Sequence, residues 1–237
     1  RIGGGLPGTH DTWGAWIMKG GSLTDSWNLQ VGGYGTGILE LDGGNIRVTG
    51  FLSLGRYAEG NKKRSHGMLD LKSGTITSTQ SNNYVLIGEE GIGILNLRGG
   101  SFNCANRLMI GAGTIDHPGD GTVNLMPGGI LTVSGIAQMN ESEAKGRLYL
   151  NGGLLKAGSS SGAFLEGLDQ VHVGPEGANI DSNGYNIIIL QDLTAPAGDG
   201  VVRIPVIHGG GSFLAPPVVR IQGGGGEGAS AIAELDD

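Results

Sequence analysis

A short glycine-centred phrase recurs along this chain and limits the folds that it can adopt. The phrase is apolar, any, apolar, any, Gly-Gly, any, apolar, as in residues 39–46 (LELDGGNI) and 95–102 (LNLRGGSF). Six copies, the first of them degenerate and one with Ser-Gly as the pair, have their second glycine at Gly21, Gly44, Gly74, Gly100, Gly129 and Gly153. These positions are 23, 30, 26, 29 and 24 residues apart, a spacing typical of solenoid repeats.

A second phrase, apolar, any, apolar, Gly, falls between copies of the first at residues 29–32, 52–55, 85–88 and 108–111. Each repeat thus offers three short strands: one before the glycine pair, one after it, and one that ends at the single glycine. Because strand side chains alternate between faces, the aliphatic residues at every second position point into one shared interior. One coil cannot bury this face alone, whereas stacked coils bury one another. The sequence therefore predicts an all-β fold, a parallel β-helix (solenoid).

The repeats divide the chain into three parts. Residues 1–12 are a lead-in, residues 13–198 form the solenoid of about six repeats plus closing coils, and residues 199–237 form a small C-terminal β-rich module. This tail either caps the solenoid or begins a further unit. Differences in repeat length are expected in loops at residues 57–66 and 115–120. The strands expected in the tail are residues 201–207, 217–221 and 229–235.

Composition narrows the classes of function. Glycine accounts for 49 of 237 residues, but 38% are hydrophobic and occur in alternating runs that a disordered chain lacks. The net charge of -7 argues against a nucleic-acid binder, and the basic residues 62–64 are interpreted as a solvated loop tip.

No run reaches the roughly 18 apolar residues of a membrane helix. No signal peptide is visible, so we expect a processed product or a piece of a longer protein. The single cysteine, Cys104, excludes an intrachain disulfide and is expected to be buried.

The two phrases together resemble the autotransporter-associated β-strand repeats, which occur in very large surface proteins of planctomycetes, verrucomicrobia and other Gram-negative bacteria. The resemblance covers about residues 13–200. Segments between residues 164 and 191 resemble the part that often closes such a repeat block. Residues 210–218 and 223–231 resemble a short β module of bacterial surface proteins and phage tail proteins. The resemblance implies a right-handed β-helix that passes to the outside of the cell, and it implies no catalytic residue.

An enzymatic β-helix needs acids, with a basic partner, aligned on one face of adjacent coils. Counted from the glycine pair, one column holds Asp42, Lys72, Arg98, Pro127 and Asn151, and Asp70 lies one strand position earlier than that column. The column mixes positive and negative charges. We therefore expect a solvated outer face rather than a catalytic centre.

The densest group of acids around a histidine is Asp116, His117 and Asp120. Its carboxylates could bind a cation, but an Asp/Gly/Pro turn is the preferred interpretation. Residues 223–226 lack the Lys-Ser/Thr of a phosphate loop, and residues 140–142 form a glycosylation sequon by pattern only. The histidines lack the spacing of metal ligands, so no zinc site is expected: His10, His66, His117, His172 and His208. The tyrosines occupy different repeat positions, so no sugar-stacking face is expected: Tyr34, Tyr57, Tyr84 and Tyr149.

These observations predict a structural module without catalytic, cofactor-binding or metal-ligating residues and without a cofactor. We expect an extracellular or cell-surface location in a Gram-negative bacterium, as part of a surface protein, fibre or adhesin. The expected partners are further repeats of the same polypeptide or other copies of it, forming filaments. One alternative is a carbohydrate-binding or polysaccharide-cleaving β-helix with surface glycans as partners. Another is a segment similar to a phage tail fibre.

Overall fold

The chain forms a parallel β-solenoid of about six coils, where a coil is one turn of the chain around the common interior. The computed structural model describes residues 1–5, 12–59, 63–80, 84–139, 143–195, 201, 203–213, 215–219, 221, 223 and 231–235. Every secondary-structure element assigned in these ranges is a β-strand. The predicted fold class is confirmed. No helix among the described residues is long and apolar enough to cross a membrane.

The strands, numbered in chain order, belong to three sheets. The largest sheet contains β1 (Trp13–Met18), β2 (Ser22–Ser26), β4 (Thr36–Val48), β8 (His66–Ser78), β10 (Ile92–Leu97), β11 (Ser101–Cys104), β13 (Asp120–Leu125), β14 (Ile130–Val133), β16 (Lys145–Leu150), β17 (Leu154–Ala157), β19 (Gln170–Val173) and β20 (Asn179–Asp181). The second contains β3 (Leu29–Val31), β5 (Leu52–Leu54), β9 (Val85–Ile87), β12 (Arg107–Ile110), β15 (Gly135–Ala137), β18 (Ser161–Glu166) and β21 (Ile187–Ile189). The third is the antiparallel hairpin of β6 (Ala58–Glu59) and β7 (Lys63–Arg64).

Each coil repeats the predicted order of three strands. In β4 and β8 one long strand runs through the glycine pair. From β10 onwards the chain breaks at the pair into a strand before it and a strand after it. All pairings between coils are parallel and bring equivalent inward residues together, as in the column Leu39, Leu69, Leu95, Val123, Leu148 and Val171.

The interior is a continuous aliphatic core. Residues at every second strand position are fully buried, and Phe102 and Phe164 are the largest of them. Cys104 is also buried, with 4% of its surface exposed. Burial raises the pKa of its thiol to about 11, because a thiolate would lose its hydration there. The prediction that Cys104 is a small buried side chain is confirmed.

A glycine column, which the repeat phrases do not include, lies where successive coils close. It consists of the second residue of each strand that precedes a glycine pair, namely Gly14, Gly37, Gly67, Gly93, Gly121 and Gly146. Gly93 lies directly under the hydrogen bond from Gly88 N–H to the Leu54 carbonyl, which is 2.8 Å long. Gly88 itself has a φ of 73°, a left-handed conformation that favours glycine. We call this contact the glycine crossing.

The expected loops lie mostly between the core strands. Among residues 57–66, of which 60–62 lie outside the described ranges, β6 and β7 form a hairpin and His66 begins β8. Residues 115–120 start within a tight turn in which Thr114 and His117 exchange two backbone hydrogen bonds of 3.1 Å, and Asp120 begins β13. In the lead-in, Ile2 pairs in parallel with Val31.

The tail differs from its predicted strands. No strand is assigned to its described residues from Val201 to Leu235, while residues 202, 220, 229 and 230 of the predicted strands lie outside the described ranges. For residues 217–221 the correction has a physical reason, because Pro216 and Pro217 lack the N–H groups that a strand donates. The tail instead makes side-chain contacts with the outer side of the solenoid, where Ala215 is buried beside Ile38 and Met68.

The glycine crossing predicts a strong position dependence of Gly→Ala substitutions. A Cβ at Gly93 would lie 2.6 Å from the Leu54 carbonyl oxygen and closer still to Gly88 N, so the backbone itself must move. We expect Gly93→Ala to lower the free energy of unfolding by at least about 3 kcal/mol. Gly162→Ala is the matched control, because a Cβ there meets nothing within 4 Å. Urea unfolding of both variants measures the difference, and equal stabilities would contradict the close approach.

Candidate functional site

Polar side chains form a ladder on the outer face of the largest sheet. They occupy the outward position between the two inward aliphatic residues of β4, β8, β10, β13, β16 and β19, and they are in register with one another. We call this column the outer ladder, and its members are Glu40, Asp70, Asn96, Asn124, Tyr149 and His172. All except Tyr149 are buried, with 1% to 6% of their surface exposed. Polar groups at equivalent positions in six coils, five of them buried, make this face the strongest candidate for a site.

Neighbouring members of the ladder, with the cations beside them, satisfy most of its polar groups. Two hydrogen bonds of 3.0 and 2.8 Å join the Arg98 guanidinium to the Asp70 carboxylate. Lys72 Nζ lies 3.0 Å from Glu40 Oε2. At the other end, the His172 ring lies 5.6 Å from the Tyr149 ring.

Two amides form the middle of the ladder. Asn124 Nδ2 donates to Asn96 Oδ1 at 2.8 Å, whereas Asn124 Oδ1 has no hydrogen-bond partner among the residues that the structure describes. The next member is Tyr149, whose side chain cannot continue an amide ladder. The polar network is therefore incomplete at the step between Asn124 and Tyr149.

Burial dominates the electrostatics of Asp70. It raises the pKa of this carboxyl above its usual value, although the hydrogen bonds and charge of Arg98 oppose the rise. For Arg98, burial lowers the pKa, but the carboxylates of Asp70 and Glu234 outweigh it and hold the pKa above its usual value. Asp70 is thus held by a fixed cation in a dry place.

The structure corrects the column of charges expected from the sequence. Asp42 pairs with Ser73 rather than with Lys72. Asp70, which aligns with Glu40 and Asn96, is buried rather than solvated. The residue in register with Arg98 is Met126, since the Met126 N–H donates to the Leu97 carbonyl. Pro127 is therefore an extra residue in that coil, which counting back from the glycine pair cannot reveal.

A cleft lies over the incomplete step of the ladder. It has a volume of about 280 Å³ and lies between the solenoid and the tail. On the solenoid side it is lined by Asn124, Tyr149 and Asn151, and Arg98 lies at its edge with Glu234 of the tail. The amides and the phenol around this cleft provide the donors and acceptors that recognise hydroxyl-rich small molecules, whereas the Arg98 guanidinium is engaged by Asp70 and Glu234.

The tyrosines expected at separate repeat positions come together in one case. The rings of Tyr34 and Tyr57 stack with centroids 4.4 Å apart, and the Arg56 guanidinium lies 4.8 Å from the Tyr57 ring centroid. Their ring faces are thus engaged with each other and with a cation. Nearby, burial raises the pKa of Glu89 against the effect of Arg56 and of the hydrogen bond from Ser53.

The acids around His117 do not converge. Asp120 forms an ion pair with Arg147, His117 lies 3.9 Å from Glu90, and Asp116 is exposed. Among the described residues no group of three His, Cys, Asp or Glu side chains is placed to hold a metal ion. Four features named in the sequence lie wholly or partly outside the described residues: His10, Lys62, the sequon at 140–142, and residues 224–226.

These features define the chain as a parallel β-solenoid protein with a partly buried polar ladder on one outer face. No protein-family model, no curated protein and no solved structure matches it.

The buried ion pair predicts a pH-dependent effect of removing Arg98. In Arg98→Met the Asp70 carboxylate keeps its burial but loses its cation, and we expect a loss of about 3 kcal/mol in stability at neutral pH. The pKa of Asp70, already raised by burial, rises further without Arg98. A carboxyl with a higher pKa in the folded state binds more protons when folded, so the loss shrinks as pH falls through the range between its unfolded and folded pKa.

Urea unfolding at several pH values measures this effect. The double variant Arg98→Met/Asp70→Leu is the control, because it removes the buried charge altogether and should recover most of the stability. A loss that is the same at every pH, or a double variant no better than the single one, would contradict the assignment.

Proposed function

We propose that this chain is a structural, non-enzymatic module of an extracellular surface protein, fibre or adhesin of a Gram-negative bacterium. In this proposal the solenoid acts as a stiff element, and further coils extend it at its ends. Those coils belong either to the same polypeptide or to another copy of this chain. The resemblance of the repeats to autotransporter-associated repeats supports the bacterial surface location.

The observation that carries the proposal is that the aliphatic core continues to both ends of the solenoid. At the first coil, Trp16 and Leu23 point inward but are only half-buried. At the last coil, the same is true of Ile180, Ile187 and Ile189. The ends thus present inward apolar side chains beside terminal strands, which is the surface that an added parallel coil would cover.

The two ends also present corresponding strands in two of the three arms. β2 begins the post-glycine arm of the large sheet and β20 ends it. In the second sheet Ile2 pairs beyond β3, and β21 forms the opposite end. A contact between the first coil of one copy and the last coil of another joins two different surfaces. Such a head-to-tail contact does not close on itself and gives linear growth.

The proposal predicts that a charge at the open end of the core blocks association. We expect concentration-dependent end-to-end association of the wild-type chain and its loss in Ile189→Lys. Ile188→Lys is the matched control, because Ile188 lies next to it in β21 but is 54% exposed and outside the core. Light scattering and electron microscopy measure the association of the wild-type chain and of the two variants. A wild-type chain that stays monomeric, or equal behaviour of the two variants, would contradict the proposal, and a discrete trimer would favour the tail-fibre alternative.

The cleft beside the outer ladder favours glycan binding as a second candidate function. Its amides suit sugar hydroxyls, and Tyr149 offers an aromatic ring for stacking. We expect binding of neutral oligosaccharides on a glycan array, and a reduction of at least about tenfold in Tyr149→Ala. Tyr84→Ala, at an exposed tyrosine away from this cleft, should bind normally. Absence of glycan binding, or equal loss in both variants, would exclude this candidate.

A further inference from the structure

An apolar stripe lies on the outer face of the solenoid, next to the outer ladder. It consists of Ile38 and Met68, in register on β4 and β8, with Ile94 following on β10. These side chains point away from the core, and yet Ile38 and Met68 are only 2% and 3% exposed. Outward residues of a solenoid normally face water, so a cover is required here.

The cover is the chain's own tail. Ala215 is 1% exposed and forms one buried cluster with Ile38 and Met68, against which Ile94 and Val218 pack. Pro216 is buried as well. We call residues 213–218, of which the structure describes 213 and 215–218, the seated segment. It brings Ala215 and Val218 onto the stripe and carries two consecutive prolines between them.

The chemistry of the segment suits docking without strand pairing. Consecutive prolines favour an extended polyproline conformation, which costs little conformational entropy when it binds and docks well against aromatic and aliphatic grooves. The tail turns towards the stripe through Ser212, a non-glycine residue with a φ of 61°. This strained conformation persists only where the surrounding contacts hold it.

The seated segment does not fill all of the space over the stripe. A cavity of about 480 Å³ remains beside it, lined by Trp13, Ile38, Phe213, Pro217 and other residues. Trp13 and Phe213 are 47% and 46% exposed. A docked segment with open space beside it can exchange with another copy of itself more readily than one packed in a core.

The path of the chain allows the exchange. Thr194 pairs with His172 of β19 and so lies one step beyond the last strand of the large sheet. At 4.8 Å per coil, Thr194 is about 24 Å from β8 and about 29 Å from β4. The 21 residues from Thr194 to Ala215 can span up to about 70 Å. In a copy stacked on the last coil, the same stripe would lie only about 10–14 Å away.

We propose that the stripe of Ile38, Met68 and Ile94 is a docking surface for a proline-containing peptide, and that its occupant is the segment 213–218 of a second copy, exchanging with the chain's own. The docking surface does not depend on end-to-end stacking, although stacking would bring the neighbouring tail closer. Exchange links copies through their sides, whereas the function proposed above joins them through their ends.

Two full-length variants that complement each other test the docking surface. Ala215→Glu blocks the tail and leaves the stripe free, and Met68→Glu blocks the stripe and leaves the tail free. Both carry Ile189→Lys so that association through the open end of the core does not contribute. Mixed, they should form a one-to-one complex by light scattering, while each variant alone stays monomeric. Val218→Glu and Ile38→Glu form a second pair, so misfolding of one variant does not decide the test.

A labelled peptide of residues 208–219 gives the affinity. Fluorescence anisotropy should show saturable binding to the Ala215→Glu protein and at least about tenfold weaker apparent binding to the wild-type protein, whose own tail competes at high effective concentration. The same peptide with Ala215→Glu should not bind. No complex in either mixture, or equal binding of the peptide to the Ala215→Glu and Met68→Glu proteins, would overturn the proposal.

Discussion

The close backbone approach at the glycine crossing is the contact on which every coil of this protein depends. There the end of one strand turns through a left-handed glycine such as Gly88, and the start of the next strand passes beneath it at Gly93. No side chain fits between the two backbones, so the return of the chain is fixed at each turn. Because a glycine occupies this position in six successive coils, the aliphatic residues that follow it fall into columns and share one interior.

Fixing the interior in this way leaves the outward positions free to vary. The outer ladder uses that freedom for carboxylates, amides, a tyrosine and a histidine in adjacent coils, and the neighbouring stripe uses it for Ile38 and Met68. Most side chains of the ladder and of the stripe are buried in the folded chain, although they point away from the core. The tail covers them, with Ala215 over the stripe and Glu234 beside Arg98. The tail and this face of the solenoid therefore form one continuous surface.

Sequence periodicity predicted the parts of the fold that are local to one repeat. Leu95 and Leu97 point inward because they alternate with polar residues, and the glycine pair ends their strand. The column of Gly67, Gly93 and Gly121 was missed because the repeat phrase begins two positions later, although Gly precedes each copy by a constant spacing. The outer ladder could not be predicted from the repeat phrase because it depends on the register between coils. Pro127 shifts the glycine pair by one residue relative to that register. The seat of the tail depends on contacts between residues as far apart as 98 and 234, for which no local pattern exists.

Distances between spin labels along one outward column test the stacking of the coils most directly. Arg47, Thr77, Asn103, Thr132, Lys156 and Asp181 are in register in successive coils. With one label at position 47 and the second at 132, 156 or 181, in a Cys104→Ser background, pulsed electron paramagnetic resonance should give distances that increase by about 4.8 Å per coil. Distances that fail to increase from 132 to 156 to 181 would contradict a parallel solenoid with one coil directly above the next.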